Sequence, residues 1–166
     1  MLDHVIPKPP RVAGYMLHQL AEAVTDGTRP LFVDRGDHLV VRTDKTITSA
    51  PVPTREVSLG DVMAFELRAC VARKIKGKAI YFPLGDWRSR HAWLERKAAK
   101  SGFEVLALRS TSTMAKIAKA HWTFTVDQSD FVGVLRVTDV VLFDVAMAKG
   151  VGSTARAFGF GMLTIN

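Results

Sequence analysis

Hydrophobic positions along the chain change period several times, and each change marks an element. Leu2 to Pro7 alternates as a short strand, and Pro7, Pro9 and Pro10 end it before a helical pattern opens near Arg11. Val12, Ala13, Met16, Leu17, Leu20 and Val24 then recur at helical spacing as one apolar stripe, closed by Asp26-Gly27. Arg29 to Val33 and His38 to Arg42 read as two short strands around Asp34-Arg35-Gly36-Asp37, which has the composition of a hairpin turn. The polar segment from Asp44 to Gly60 carries Pro51 and Pro53 and reads as a connector.

The second half repeats the alternation on a larger scale. Val62 to Ala72 predicts a long strand that runs into the basic stretch from Arg73 to Lys78. Asp86 is placed to cap a helix reaching about Lys100, with Gly102 as its terminator. Phe103 to Leu108 is a strand, and Trp122 to Val126 and Phe131 to Val137 are two more, separated by Asp127-Gln-Ser-Asp130. Asp139 to Lys149 is ambiguous by period, but an acidic start and Lys149-Gly150 at its end favour a helix. Phe158 to Ile165 closes the chain as a strand. This order predicts an α+β protein of two ferredoxin-like (βαββαβ, RRM-like) halves in tandem, the first truncated by loss of its second helix. The expected division is residues 1–60 and 61–166.

Charge changes the picture more than composition does. The 166 residues carry a net charge of +7, with 48% hydrophobic, enough for a packed core. Residues 66 to 119 hold thirteen Lys and Arg against four Asp and Glu, so this third is +9 and the remainder is −2. A cationic excess confined to one segment points to a polyanionic partner. The single Cys70 forbids an internal disulfide and sits in an apolar run, as a buried thiol would. No run approaches the ~18 apolar residues of a membrane span, and the first residues have no leader pattern, so a cytoplasmic protein without a membrane partner is expected.

Candidate chemistry is sparse. No pair among His4, His18, His38, His91 and His121 has metal-ligand spacing, and Cys70 has no cysteine partner, so no metal site is expected. At ~100° per residue the first helix centres its apolar stripe near Met16 and Leu20 and puts Tyr15, His18 and Glu22 together on the opposite face, expected to be exposed. That pairing is either an ordinary surface histidine beside a tyrosine or an acid–base and positioning pair facing a ligand. The stretch from Gly150 to Gly161 holds four of the twelve glycines. Its amides, with Gly152, Ser153, Thr154 and Arg156, could line a phosphate; equally, it reads as a helix C-cap followed by a glycine-kinked strand. Arg109 to His121 contains mainly basic, hydroxylic and small residues, suited to phosphates and sugar hydroxyls at a hairpin tip.

Three ordered matches give the sequence a family likeness. They are Tyr15-Met-Leu-His18-Gln; Phe65-Glu-Leu-Arg-Ala with Pro83-Leu84 and Ala92-Trp-Leu-Glu-Arg-Lys97; and Gly133-Val-Leu-Arg-Val-Thr-Asp139 leading to Gly150-Val-Gly152 and Ala157-Phe-Gly-Phe-Gly-Met-Leu163. Together they resemble CRISPR-associated repeat-RNA endoribonucleases of the CasE (subtype I-E) kind, in a compact form. The resemblance implies metal-independent cutting of CRISPR precursor RNA at the base of a repeat stem-loop. No cofactor is required, and the enzyme often stays on its product among other subunits of an interference complex. Tyr15 and His18 match the family's tyrosine and catalytic histidine. RNA supplies its own nucleophile, the 2′-hydroxyl, so proton transfer and charge stabilisation suffice. His18 would serve as base or acid, Tyr15 would orient sugar or phosphate, and Arg156 or Lys149 would stabilise the crowded phosphate. The RNA-binding residues would be Arg73, Lys74, Lys76, Lys78, Arg88, Arg90, Arg109, Lys116 and Lys119, with Gly152, Ser153, Thr154 and Arg156 of the glycine-rich loop. The rival expectation is a non-catalytic subunit that holds the same hairpin.

Overall fold

A computed structural model describes residues 1–52, 55–119, 121–152 and 154–166. Pro53 of the connector and Ser153 of the glycine-rich loop lie outside the described residues. Among the described residues, ten strands and three α-helices follow one another as β1 (Leu2–Pro7), α1 (Tyr15–Val24), β2 (Leu31–Asp34), β3 (His38–Thr43), β4 (Pro51–Val52), β5 (Val62–Ala69), β6 (Ala72–Ile75), β7 (Lys78–Tyr81), α2 (Trp87–Ala99), β8 (Phe103–Lys119), β9 (Trp122–Val137), α3 (Val140–Lys149) and β10 (Leu163–Ile165). They build two four-stranded antiparallel sheets, ordered β2-β3-β1-β4 and β10-β5-β9-β8, and a small β6-β7 ribbon. Both sheets have the strand order of a ferredoxin-like unit. The first has one helix and a two-residue fourth strand, so its truncation is visible in the fold.

Local sequence explains the helix ends. Asp86 accepts the backbone N–H of Ser89 at 3.1 Å and caps α2, and Asp139 does the same for α3 through Leu142 at 2.9 Å. Hydrogen bonding to Ser89 also holds the Asp86 carboxyl below its ordinary range. The predicted first helix starts later than expected, at Tyr15, because the backbone turns through positive φ at Arg11 and Gly14.

Four strand expectations need correction. Val62 to Ala72 is not one strand: β5 stops at Ala69, and the basic stretch folds into the β6-β7 hairpin. Its turn, Lys76-Gly77, has positive φ at both positions, the requirement of a tight hairpin turn, and a lysine in that place gives no clear signal in sequence. Phe103 to Leu108 extends to Lys119. Asp127-Gln-Ser-Asp130, read as a break, lies inside one continuous β9. Those acidic residues are tolerated in a strand because Arg90 pairs with Asp127 and Arg68 with Asp130. Finally, only Leu163–Ile165 of the last expected strand pairs with β5, and Arg156–Phe158 forms a 3-10 turn instead.

Each sheet has its own core. Ile6, Leu17, Ala21, Phe32, Leu39 and Val41 pack beneath the first, and Phe65, Leu94, Phe103, Phe131, Leu135 and Phe143 beneath the second. β5 pairs with β9 only from Val62–Arg136 to Ala69–Ser129, so the outer parts of β8 and β9 project as a two-stranded arm. The arm reaches the start of α1, where an added side chain on Gly14 would meet the Ala118 carbonyl at 2.8 Å. Arg42 of β3 fastens the halves together. It is buried, donates Nε and Nη2 to the Asp3 carboxylate at 2.6 and 2.7 Å, and donates Nη1 to the carbonyls of Met147 and Leu163, both at 2.9 Å.

Candidate active site

α1 does bring Tyr15, His18 and Glu22 to one face, but that face is covered. His18 is only 8% exposed, whereas Met16, expected at the centre of the buried stripe, is 53% exposed. Leu17, Leu20, Ala21 and Val24 pack on the first sheet. The 3-10 turn of the second half lies against the Tyr15 side, with the Tyr15 and Phe158 ring centroids 6.3 Å apart. A helical wheel registers one hydrophobic stripe and has no knowledge of a second covering element.

The His18 imidazole is held on two sides. Its Nε2 lies 3.2 Å from Glu22 Oε1, and its ring centroid is 5.3 Å from that of Tyr15. Its Nδ1 is buried and has no hydrogen-bond partner among the described residues. The ring contributes to the wall of a cavity of about 530 Å³ between the halves, shared with Arg29 and Arg42 from the first half and Lys149 and Arg156 from the second. Lys149 and Arg156 therefore reach the same cleft as His18, from more than a hundred residues away in sequence. Arg156 donates Nε to the Gly152 carbonyl at 2.9 Å, which fixes its guanidinium at the cleft edge. Arg29, Arg42, Thr28 and Thr43, which also line the cleft, carried no periodic or motif signal in the sequence.

The glycine-rich loop has a clear packing role. Gly150 ends α3 at φ 79° and donates its N–H to the Ala146 carbonyl at 2.7 Å, and Val151 N–H bonds the Gly161 carbonyl at 2.7 Å. At Gly159, φ 85°, a Cβ would lie 3.0 Å from the Phe32 ring of the first half. Close approach between the halves thus accounts for this glycine. Gly152 lies against Trp93, and Thr154 joins Lys74, Arg96 and Lys97 around a second cavity of about 340 Å³.

The basic residues spread over three elements of the second half. Arg73, Lys74, Lys76 and Lys78 are exposed on the β6-β7 hairpin, Arg88 lies 5.2 Å from the centre of the exposed Trp87 ring on α2, and Arg109 and Lys116 are exposed on β8. Lys119 pairs in register with Trp122. Arg90 is a correction. It is 1% exposed, its guanidinium pairs with the buried Asp127, donates to Ser129 Oγ at 3.1 Å and to the Pro83 carbonyl at 2.6 Å, and is therefore a core residue rather than a phosphate contact. Next to this pair, burial first and the Asp127 charge second push the Cys70 thiol up to about 11. Among the described residues, no three His, Cys, Asp or Glu side chains gather as a metal-binding set, and no helix is long and apolar enough to cross a membrane.

Two antiparallel ferredoxin-like sheets in tandem, with an imidazole in the cleft between them and a cationic face on one, define the class: a tandem ferredoxin-like α+β protein. The chain belongs to the CRISPR-associated protein family, whose model matches residues 33–166. Among curated proteins no sequence relative was found. The fold is shared with Thermus thermophilus Cse3 bound to an RNA representing a pre-cleavage complex (TM-score 0.82, 21% identity, covering 99% of this chain and 98% of that one). It is also shared with the CRISPR-associated protein Cas6e from Escherichia coli K-12 (TM-score 0.78, 20% identity, 99% and 98% covered). A chain in the structure of E. coli Cascade bound to a PAM-containing double-stranded DNA target is similar as well (TM-score 0.65, 21% identity, 99% and 98% covered).

Proposed function

We propose that this protein is an endoribonuclease that cuts CRISPR precursor RNA at the base of a repeat hairpin without a metal cofactor, and then stays with its product beside other subunits of an interference complex. The observation that carries this reading is the convergence of His18, Lys149 and Arg156 on one cleft. Support also comes from the shared fold of the RNA-bound Cse3 and of the Cascade chain. In this reading residues 1–60 carry the catalytic helix and residues 61–166 the RNA-binding surface.

The chemistry needs few groups. The 2′-hydroxyl upstream of the scissile phosphate loses its proton as its oxygen attacks phosphorus, and the 5′-oxygen of the next nucleotide leaves and takes up a proton. The products are a 2′,3′-cyclic phosphate and a 5′-hydroxyl. His18 supplies one of these proton transfers through a ring nitrogen, Tyr15 orients the sugar or phosphate, and Arg156 or Lys149 stabilises the charge on the crowded phosphate.

A second reading is favoured by one observation: His18 is buried with its Nε2 3.2 Å from Glu22 Oε1, as a structural histidine would be. It makes the protein a hairpin-holding subunit without chemistry. Incubation with the cognate repeat RNA in excess chelator separates the two. Cleavage at the stem base with cyclic-phosphate ends supports the enzyme, tight binding with intact RNA supports the subunit, and cleavage that stops in chelator refutes the metal-independent step.

A further inference from the structure

Trp122 leaves 72% of its surface open to water at the tip of the β8-β9 arm, although an indole is among the costliest side chains to leave uncovered. It has no ring contact among the described residues, in contrast to Trp87 and Trp93. Its direction is set by the strand: alternation puts Trp122, Phe124 and Val126 on one face of β9. Val126 is buried, and Phe124 stacks edge-on against Phe158 at 5.3 Å, which in turn lies 6.3 Å from Tyr15. The arm's Trp122 face is therefore the one turned toward the 3-10 turn and Tyr15, and Trp122 stands roughly 7 Å along the strand from Phe124.

The surroundings select the kind of partner. From Arg109 to Val126 there is no Asp or Glu; His121 and Thr123 are exposed on either side of Trp122 in the chain, Lys116 and Thr125 are exposed on the opposite face of the arm, and Arg109, Thr111 and Thr113 are exposed further down β8. One bare indole at the end of an arm that carries cations and hydroxyls and no acid makes a poor hydrophobic protein contact. It suits a nucleic-acid strand, whose phosphates meet the cations while a base lies on the ring. Bases inside a duplex are already stacked on both sides, so the ring gains most from a base outside the stem. We propose that Trp122 is the stacking platform for an unpaired base of the RNA strand that continues past the hairpin base. This rests on the function proposed above and names the part of the substrate that the arm holds.

The test compares two uncleavable RNAs, each with a 2′-deoxy sugar upstream of the scissile bond: the repeat hairpin with its unpaired flanks, and the same hairpin trimmed to its paired stem. Trp122→Ala should weaken binding of the flanked RNA ~10-fold or more, the usual loss for one base–aromatic stack, and leave the stem-only RNA unchanged. Trp122→Phe should keep most of the affinity, since a smaller aromatic face remains. An equal loss on both RNAs, or none on either, overturns the platform while leaving the hairpin-binding reading intact. If the wild-type chain binds neither RNA, that reading falls and takes the platform with it. Thermal melting of Trp122→Ala should match the wild type, because an exposed side chain is removed; a large drop with equal loss of both RNAs would assign the indole to the fold and overturn the proposal.

Discussion

Replacing His18 by alanine should slow cleavage by ~10²–10⁴-fold, the typical contribution of a positioned acid–base group, while hairpin affinity stays nearly unchanged. The structure sets the background against which that loss is read. His18 is buried, so its truncation removes the contact with Glu22 at 3.2 Å and the packing against Tyr15, and costs about 1–2 kcal/mol rather than the few tenths of a surface site. Subtracted from a domain stability of about 5 kcal/mol, the low end of the normal range, this still leaves ~99% of molecules folded. Unfolding therefore accounts for no more than a few per cent of any change in rate. The assay is single-turnover cleavage of labelled repeat RNA with protein in excess, in parallel with circular dichroism and an affinity measurement. A variant that cuts at the wild-type rate removes His18 from the chemistry. So does cleavage, at the same bond, of RNA that lacks the upstream 2′-hydroxyl, since that hydroxyl is the proposed nucleophile.

Arg90→Met should lower stability by about 3–5 kcal/mol, because the buried Asp127 carboxyl is left without its guanidinium partner. Urea titration reads this, and RNA affinity per folded molecule should not change; weaker binding with normal stability would return Arg90 to the RNA surface. Arg109→Ala and Lys116→Ala should each reduce the slope of log affinity against log salt by about one if each meets a phosphate, and an unchanged slope marks a merely solvated side chain. Cys70 should resist iodoacetamide at pH 8 in the native protein, since its thiol is raised from 9.0 to about 11, and fast labelling would contradict its burial. The same shift makes its contribution to stability complete below pH 9 and progressively lost as pH rises toward 11, which pH-dependent unfolding of the wild type against Cys70→Ala should show.

The three helices and their places among the strands, the caps at Asp86 and Asp139, and the three-apart pairing of Tyr15 with His18 were all legible in the sequence, because each depends on residues close together in the chain. Features made by distant pairs were not. Arg90 taken alone has the character of a surface cation and Asp127 that of a turn residue. Their mutual neutralisation across 37 positions is what allows both to be buried and β9 to run on unbroken. His18 failed in the same way: one turn of α1 shows which face is apolar, but the covering Phe158 lies in the other half. The β6-β7 hairpin was missed for a local reason, since Lys76 occupies a left-handed position usually held by Asn, Asp or Gly.

The arm and the 3-10 turn that close over α1 also impose an order in time. α1 is complete once residue 24 has been made, yet its outer face meets Ala118 and Phe158, which follow about 95 and about 135 residues later. At ~5–20 residues per second, a chain growing on the ribosome carries α1 with that face open for on the order of ten seconds. His18 stays in water during this interval, and the cleft exists only after the second half has docked. If the function proposed above holds, a nascent first half lacks its cleft until the second half, with its basic elements, has been made.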